Sequence, residues 1–500
     1  MLNDYRQRFG EFQTAIHREE YLFRSGRKAA CDKHYFYREY SDLFQLSALA
    51  ELRTRLAETS AYRETERQSI QRLIAFACEG HLQTRVRELS DEIEAYEAAS
   101  RITWEGGKVA FSALDGLLAN EADAPRRREL AARRADLVQG TKDLRAERWA
   151  RLHEDVRSQF GEFAPESYLA AQQEWRGVDY QNLAQQASQI LEKTESAFAN
   201  ALTPLLARET GLAREDAIPA DLDYLQRYAR FDHFFASDRL PTVYHQLFAD
   251  FGFKTDSQDN VTLELNACAN QSSAVFCAPI RIPEEIKLVA TLSGGQANAR
   301  DFLRVAGQTQ LYAWTSRNLH PEFRFVGDAA VPLAWGFLLE SLLREEAWLL
   351  STFGFVENLA LRQALGVFKL LSVRKQAALL NYEVAFHDGT LRENAGRRYA
   401  ESLGEALQVR CDETDHLRAI DDTLASADVL RACAFEAQLS DYLKTQFGSR
   451  WWASRKAGEM LIDLWNTGRR YTVEELARQI GLGELDFAWL TTALLGQLHL

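Results

Sequence analysis

The chain has 500 residues, 46% hydrophobic and 26% charged, with a formal net charge of −13. This composition is typical of a globular protein with a substantial core. The negative charge argues against nucleic acid or an anionic membrane surface as the main partner. The six cysteines form no C-x-x-C pair, as expected of reduced thiols in a cytoplasmic protein. We see no signal peptide and no uncharged apolar stretch near the roughly 20 residues that span a bilayer, so we expect a soluble, cytoplasmic protein without a membrane partner.

Long helices are predicted at the start of the chain. The stretch SDLFQLSALAELRTRLAE (41–58) spaces its apolar residues three and four apart, which is the helical period. Similar patterns fill the first third of the chain, further helices are expected from about 165 to 255 with an interruption at Pro241, and the helical period returns after Gly295. We expect an N-terminal helical region over 1–155 and a larger body over 156–500.

Two short β-rich runs interrupt the helices. NVTLELNA (260–267) and PEEIKLVATLSGG (283–295) are separated by CANQSSAVFCAPIRIP (268–283), which we interpret as a turn-rich link. The fold class predicted from these elements is mainly α, with one small antiparallel sheet near 261–293.

The stretch RDFLRVAGQTQLYAWTS (300–316) has the rhythm of a zinc-peptidase helix. It follows a strand and the Gly294–Gly295 turn, and in a helix positions i and i+4 share one face. A catalytic helix of this kind carries His-Glu-x-x-His, in which two histidines bind zinc and the glutamate activates the bound water. Here Arg304 and Gln308 occupy the two histidine positions and Val305 occupies that of the glutamate.

The segment FCAPIRIPEEIKLVATLSGGQANARDFLRVAGQTQLYAWTS, followed by EFRFVGDAAVPLAWGFLLESLL, resembles the thimet oligopeptidase and oligoendopeptidase F group of zinc metallopeptidases. The helical N-terminal part and the ending FEAQLSDYLKTQFGSRWWASRKAGEMLIDLWNTG also resemble this group. The resemblance implies a zincin-like scaffold of long helices around a deep cleft. It places Gly307 at the glycine of the family's zinc helix and Leu333 at the third zinc ligand, a glutamate in active members.

The chemistry of these positions indicates that the family's zinc site is lost. Arginine has no lone pair to offer a metal ion, valine cannot accept a proton from water, and glutamine and leucine are poor replacements for imidazole and carboxylate. We therefore expect no zinc or other cofactor and no catalytic residue, with Arg304, Gln308 and Leu333 as vestigial ligand positions and Val305 as the vestigial base position.

The active family also uses tyrosines from a late loop and helix to stabilise the oxyanion. Ala425 and Val429 stand at the matching positions here, in DDTLASADVLRACAFEAQL. His416, upstream, is a candidate remnant of a substrate-contacting histidine, with an ordinary surface histidine as the alternative.

Other residues remain candidates for a cleft or ligand site. Asp301, His320 and Glu340 lie close enough in sequence to meet in a pocket with Arg304, although no two histidines are three or four residues apart. Arg304 could pair with Glu340, with Asp301 or with a carboxylate of a ligand. If KLVATL is an edge strand, an extended peptide could add its backbone to that strand.

Three functions remain open at this point. The first is a non-catalytic metallopeptidase homologue that binds peptides or another protein. The second is a metal-dependent hydrolase with a rebuilt site, and the third is an unrelated enzyme in which Arg304 anchors an anion. A peptide or a small anionic ligand is the expected partner, and the sequence does not specify the oligomeric state.

Overall fold

The structure is a computed structural model that describes residues 2–266, 275–391 and 394–498. The part of the chain before the central sheet is mainly helical. Its helices are α1 (Leu2–Arg24), α2 (Lys33–Glu39), α3 (Leu46–Glu58), α4 (Glu64–Ala99), α5 (Leu114–Asn120), α6 (Ala124–Gln139), α7 (Lys142–Ser158), α8 (Tyr168–Arg176), α9 (Tyr180–Thr210), α10 (Pro219–Arg227) and α11 (Arg239–Asp250).

The remainder is helical again after the sheet. Its helices are α12 (Gly295–Trp314), α13 (Pro321–Phe325), α14 (Ala330–Glu340), α15 (Glu346–Phe353), α16 (Leu359–His387), α17 (Ala395–Leu407), α18 (Ala425–Phe447), α19 (Arg455–Asn466), α20 (Val473–Gln479) and α21 (Phe487–Leu498). The predicted class, mainly α with little sheet, is confirmed.

A β-hairpin lies in the N-terminal region, where the sequence analysis predicts only helices. Strands β1 (Arg101–Trp104) and β2 (Gly107–Ala110) pair antiparallel. Glu105 and Gly106 form the two-residue loop, both with positive φ, as the tight hairpin turn requires. Each strand has only four residues, too few for an alternation of apolar and polar residues to be recognised between long helices.

The central sheet has three strands in the order β3–β5–β4, with bounds β3 (Val261–Leu265), β4 (Val275–Arg281) and β5 (Glu285–Ala290). The predicted antiparallel sheet is wrong in detail, because β3 pairs with β5 in parallel and only β4 pairs with it antiparallel. Strand β4 lies in the segment interpreted as a turn-rich link, of which residues 268–274 lie outside the described residues. Pro279 made this segment resemble a loop in the sequence. The proline lies where the register between β4 and β5 shifts, and an edge strand tolerates a proline at such a position.

The KLVATL segment therefore does not provide a free edge. Its strand β5 is the middle strand, with both sides hydrogen-bonded. The expectation that an extended peptide adds to KLVATL is wrong, because the neighbouring strands already use its backbone donors and acceptors.

One hydrophobic core runs through most of the described chain. It includes Phe9 and Trp149 from the predicted N-terminal region and Trp335, Trp451 and Trp465 from the predicted body. The boundary at residue 155 stays a prediction, since this core draws side chains from both sides of it.

One segment of the described residues, Pro321–Arg344, is long and apolar enough to cross a membrane by length and composition alone. It comprises α13 and α14 rather than one helix, and 67% of its apolar window is buried inside the protein. Its apolar side chains belong to the core.

Candidate functional site

Helix α12 begins at a tight turn directly after the sheet. Gly294 and Gly295 both have positive φ, and a side chain on Gly295 would overlap the carboxylate of Asp232. Asp232 Oδ1 accepts a hydrogen bond from the backbone N–H of Gln296, at 3.2 Å. This turn and carboxylate fix the start of α12, because they satisfy a backbone donor that the helix leaves free.

Helices α12 and α14 cross in close contact at two glycines. A Cβ on Gly307 would overlap the backbone carbonyl of Trp335, and a Cβ on Gly336 would lie 2.9 Å from the carbonyl oxygen of Arg304. The missing side chains let the two backbones approach. The glycine expected from the family resemblance therefore has a packing role here.

Arg304 pairs with Glu340 across these two helices. The Nε and Nη2 of Arg304 lie 2.8 and 2.7 Å from Oε2 of Glu340. Burial by itself would raise the pKa of Glu340, but Arg304 and then Lys369, Arg300 and Arg344 lower that pKa to about 2. Of the three partners considered for Arg304, Glu340 is the one in direct contact.

The other vestigial positions offer at best a weak metal ligand, the amide oxygen of Gln308. Val305 is buried in the core, and Leu333 is partly buried and packs against the same core. Gln308 is partly exposed. The residues at the two histidine positions, the base position and the third ligand position thus comprise a paired cation, an amide and two hydrocarbons.

A small cavity of about 170 Å³ adjoins the ion pair. Arg304 and Glu340 line it, together with three further cationic side chains, Arg300, Arg344 and Lys369. Glu436 of α18 lies behind it, with Oε2 at 3.4 Å from Lys369 Nζ and Oε1 at 3.5 Å from Arg344 Nη2. The cavity walls are therefore rich in positive charge.

A larger cleft of about 930 Å³ lies beside the small cavity. Gln226 and Arg300 line both spaces. The wall of the larger cleft comes from α5, α6, α10, α12, α16 and α17, from the loop 411–421 and from the start of α18. This volume is in the range of ligand-binding clefts in proteins.

The remaining sequence candidates lie in different places. Asp301 lines the larger cleft and pairs with Arg300 at 3.1 Å. His320 precedes α13, and its Nε2 lies 3.6 Å from Glu66 Oε2 of α4. His416 is buried, and its Nδ1 lies 2.7 Å from the backbone oxygen of Glu413 in its own loop. Neither histidine lines the small or the large space described above.

The positions matched to the family's oxyanion tyrosines lie at the start of α18. Ala425 lines the larger cleft, and Val429 is partly buried against the core. Neither side chain can donate a hydrogen bond to an oxyanion.

Zinc, which the family resemblance implies, does not fit these residues. Structural and catalytic zinc sites use at least three nitrogen, sulfur or carboxylate ligands. Within the ranges described, no three His, Cys, Asp or Glu side chains are grouped so that they could hold a metal ion. Arg304 in addition directs a positive charge at the position of the first ligand.

No protein-family model and no curated protein matches the chain. Solved structures do match it over nearly its whole length. PZ peptidase A with an inhibitor has a TM-score of 0.67 at 12% identity, covering 93% of this chain and 87% of that one. The fold is that of helical metallopeptidases.

Two further structures agree with this fold. A protein of Bacillus anthracis str. Ames assigned as an oligoendopeptidase F has a TM-score of 0.65 at 13% identity, with 93% and 85% of the chains covered. The M32 carboxypeptidase of Deinococcus radiodurans R1 has a TM-score of 0.60 at 13% identity, with 99% and 97% covered. The predicted resemblance in fold is confirmed.

Two charged residues near Arg304, Lys369 and Glu436, were not predicted from the sequence. Each is a single charge inside an apolar helical run, ALGVFKLLSV (364–373) and ACAFEAQL (432–439). A lone charge on a buried helix face indicates a paired or functional group, and this signal could have found both residues. It could not have shown that they meet at Arg304.

Proposed function

We propose that this chain is a non-catalytic protein with a metallopeptidase fold that binds peptides or a segment of another protein. The observation that carries the proposal is the Arg304–Glu340 ion pair between α12 and α14. A guanidinium at a ligand position repels a divalent cation and cannot replace an imidazole. The base position, Val305, is likewise without a proton acceptor.

The larger cleft supports the binding half of the proposal. Its polar wall includes Asp301, Arg418 and Lys375, which can contact a peptide backbone and side chains. A peptide in this cleft would lie alongside α12 without adding to β5, whose two sides are already paired.

Metal content and peptide cleavage test the non-catalytic half. The protein is loaded with zinc, dialysed and analysed for bound metal, and quenched fluorescent peptides are then incubated with it, with and without a chelator. We expect far less than one zinc per chain and no cleavage. Stoichiometric zinc with chelator-sensitive cleavage would show a hydrolase with a rebuilt metal site.

A variant with the ligands restored serves as the matched control. Arg304→His, Val305→Glu, Gln308→His and Leu333→Glu together supply two imidazoles, a base and a carboxylate on the same two helices. Zinc uptake by this variant and not by the parent would attribute the loss of metal to these four positions.

Peptide binding is measured directly. A fluorescein-labelled peptide mixture is titrated with the full-length protein, and binding is followed by anisotropy. We expect saturable binding that unlabelled peptides compete away. We also expect the protein to act in the cytoplasm, in keeping with the free thiols of the described cysteines, which cell fractionation would test.

A further inference from the structure

The small cavity beside Arg304 has more cations than its carboxylates neutralise. Among the described residues, four cationic side chains line it, Arg300, Arg304, Arg344 and Lys369, and Glu340 is the one acid in its wall. Counting Glu436 behind the wall and Asp301 beside Arg300, three carboxylates face four cations. One positive charge remains uncompensated in a partly enclosed space.

Lys369 is a buried cation whose charge is only loosely paired. Its side chain is only 7% exposed, and its Nζ lies 3.4 Å from Glu436 Oε2 and 4.2 Å above the ring of Phe337. It also hydrogen-bonds the thiol of Cys433, a neutral group in the same cavity wall. Charge-assisted N–H···O bonds are usually about 2.7–2.9 Å long, and an ammonium has three donors. Glu436 moreover divides its charge between Lys369 and Arg344, which is 3.5 Å away.

The size and the walls of the cavity favour a small anionic group. A volume of 170 Å³ equals that of about five or six waters, which is enough for a carboxylate and the atoms next to it. Phe337, Leu343, Leu365 and Phe368 form apolar parts of the wall and strengthen the charge interactions inside. Since Gln226 and Arg300 also line the larger cleft, a chain lying in that cleft can reach the cavity with its end.

We propose that this cavity binds a carboxylate, and that its ligand is the C-terminal carboxylate of a peptide lying in the larger cleft. Lys369 and Arg344, each in only a long contact with Glu436, provide the donors, while Arg304 stays with Glu340. A single negative charge matches the single uncompensated positive charge, whereas a phosphate dianion would exceed it. A cavity of this size admits the end of a chain but not a chain that continues through it. The inference rests on the proposed function, because the larger cleft must hold the rest of the peptide.

The experiment compares peptides that differ in one charge. Fluorescein-labelled octapeptides without Asp or Glu are prepared as matched pairs, with a free or an amidated C-terminus, and titrated with the full-length protein. We expect the free acids to bind about tenfold more tightly or better, since a hydrogen-bonded charge is lost on amidation. Lys369→Met should remove this preference and leave the affinity for the amides unchanged. Lys375→Met, which changes a lysine of the larger cleft only, should retain the preference.

Each other result overturns part of the inference. Equal binding of acids and amides by the parent protein overturns the carboxylate site and leaves peptide binding intact, and this comparison needs no variant. A preference that persists in Lys369→Met overturns the assignment to this cavity. A third peptide, amidated and with one internal Glu, would overturn the C-terminal assignment if it bound as tightly as the free acids.

Absence of all peptide binding counts against the proposed function, and the cavity is then tested with acetate alone. At constant ionic strength, acetate should raise the unfolding midpoint of the parent relative to chloride, and Lys369→Met should lose this shift. No acetate-dependent shift in the parent would overturn the carboxylate site as well.

Discussion

Arg304 of α12 donates a hydrogen bond from Nε to Oε2 of Glu340 on α14, at 2.8 Å, and its Nη2 lies 2.7 Å from the same oxygen. The pair thus joins α12, which carries the vestigial ligand positions Arg304 and Gln308, to α14, which carries Leu333. The family resemblance implies a metal ion between these two helices in active members. Here an ion pair and a close helix crossing hold them together.

Glu340→Gln should destabilise the protein, because it leaves Arg304 without its nearest negative charge. We expect the free energy of unfolding at pH 7 to fall by about 1–2 kcal/mol. This decrease in stability is smaller than for a fully buried ion pair, because the Arg304 side chain is 35% exposed and water screens its charge. Urea unfolding of parent and variant measures the difference.

The same pair gives a pH dependence of defined sign. The pKa of Glu340 is lowered from 4.5 to about 2, so its stabilising contribution is complete above about pH 4.5 and is lost as the pH falls toward 2. The difference in the free energy of unfolding between the parent and Glu340→Gln should therefore become smaller as the pH is lowered from 5 to 3. Glu459→Gln, at an exposed position of α19, is the control and should show no such change. A difference that stays constant over this range would contradict the ion-pair account.

Much of the helical frame could be predicted because its signals are local. The period of α12 and the Gly294–Gly295 turn are both visible in the sequence, and the structure begins that helix at Gly295. Strand β4 could not be predicted in the same way, because Pro279 and the short alternation both resemble a loop. The order of the strands depends on contacts between segments that are distant in sequence. The middle position of β5 therefore could not be predicted from its own residues.

The site could be predicted only in part, for a related reason. The expected loss of zinc ligands rests on residue types at fixed spacing, so Arg304, Val305, Gln308 and Leu333 could be proposed from the chain alone, and their vestigial role stays a prediction. The cationic cavity depends on α16 and α18 packing beside α12. Arg344, Lys369 and Glu436 are separated by tens of residues, and nothing local shows that they meet.

Asp328→Asn should destabilise the protein more than any change at Arg304. Both oxygens of Asp328 accept from Arg431, at 2.8 Å each, and Asp328 also accepts from the backbone N–H groups of Ala330 and Val473. These bonds hold the start of α14 against α18 and α20. Removing one partner of a buried ion pair costs about 3–5 kcal/mol.

Thermal and urea unfolding of Asp328→Asn should both show this loss. Asp441→Asn, at an exposed position of the same helix as Arg431, controls for the change of Asp to Asn and should be nearly neutral. A loss below about 1 kcal/mol would mean that the network does not fix α14 as described.

Gly307→Ala tests the close crossing of α12 and α14. The added methyl group would overlap the carbonyl of Trp335, so the helices must move apart. Overpacking of this kind costs about 1–3 kcal/mol. Gly116→Ala is the matched control, since nothing lies within 4 Å of its Cβ position in α5, and there alanine should stabilise by up to about 1 kcal/mol. Equal effects of the two substitutions would refute the packing role of Gly307.

Glu383 of α16 should make the protein less stable as the pH rises. It is 1% exposed and accepts hydrogen bonds from the backbone N–H of Asp421, at 3.0 Å, and from the hydroxyl of Ser426. Burial raises the pKa of Glu383 from 4.5 to about 8, even though these two hydrogen bonds lower it. Between these values the folded protein retains a proton that the unfolded chain has released, so stability falls as the pH rises from about 4.5 to 8.

Glu383→Gln removes this proton without changing the shape of the side chain. The stability of the variant relative to the parent should therefore rise between pH 5 and pH 8.5, by on the order of 2 kcal/mol. Unfolding midpoints across this range measure it, with Glu88→Gln at an exposed position of α4 as the control. Parallel curves for parent and Glu383→Gln would show that Glu383 is ionised in the folded protein at neutral pH. Its two hydrogen bonds would then outweigh burial, and the loop before α18 would be held by a carboxylate anion instead of a neutral acid.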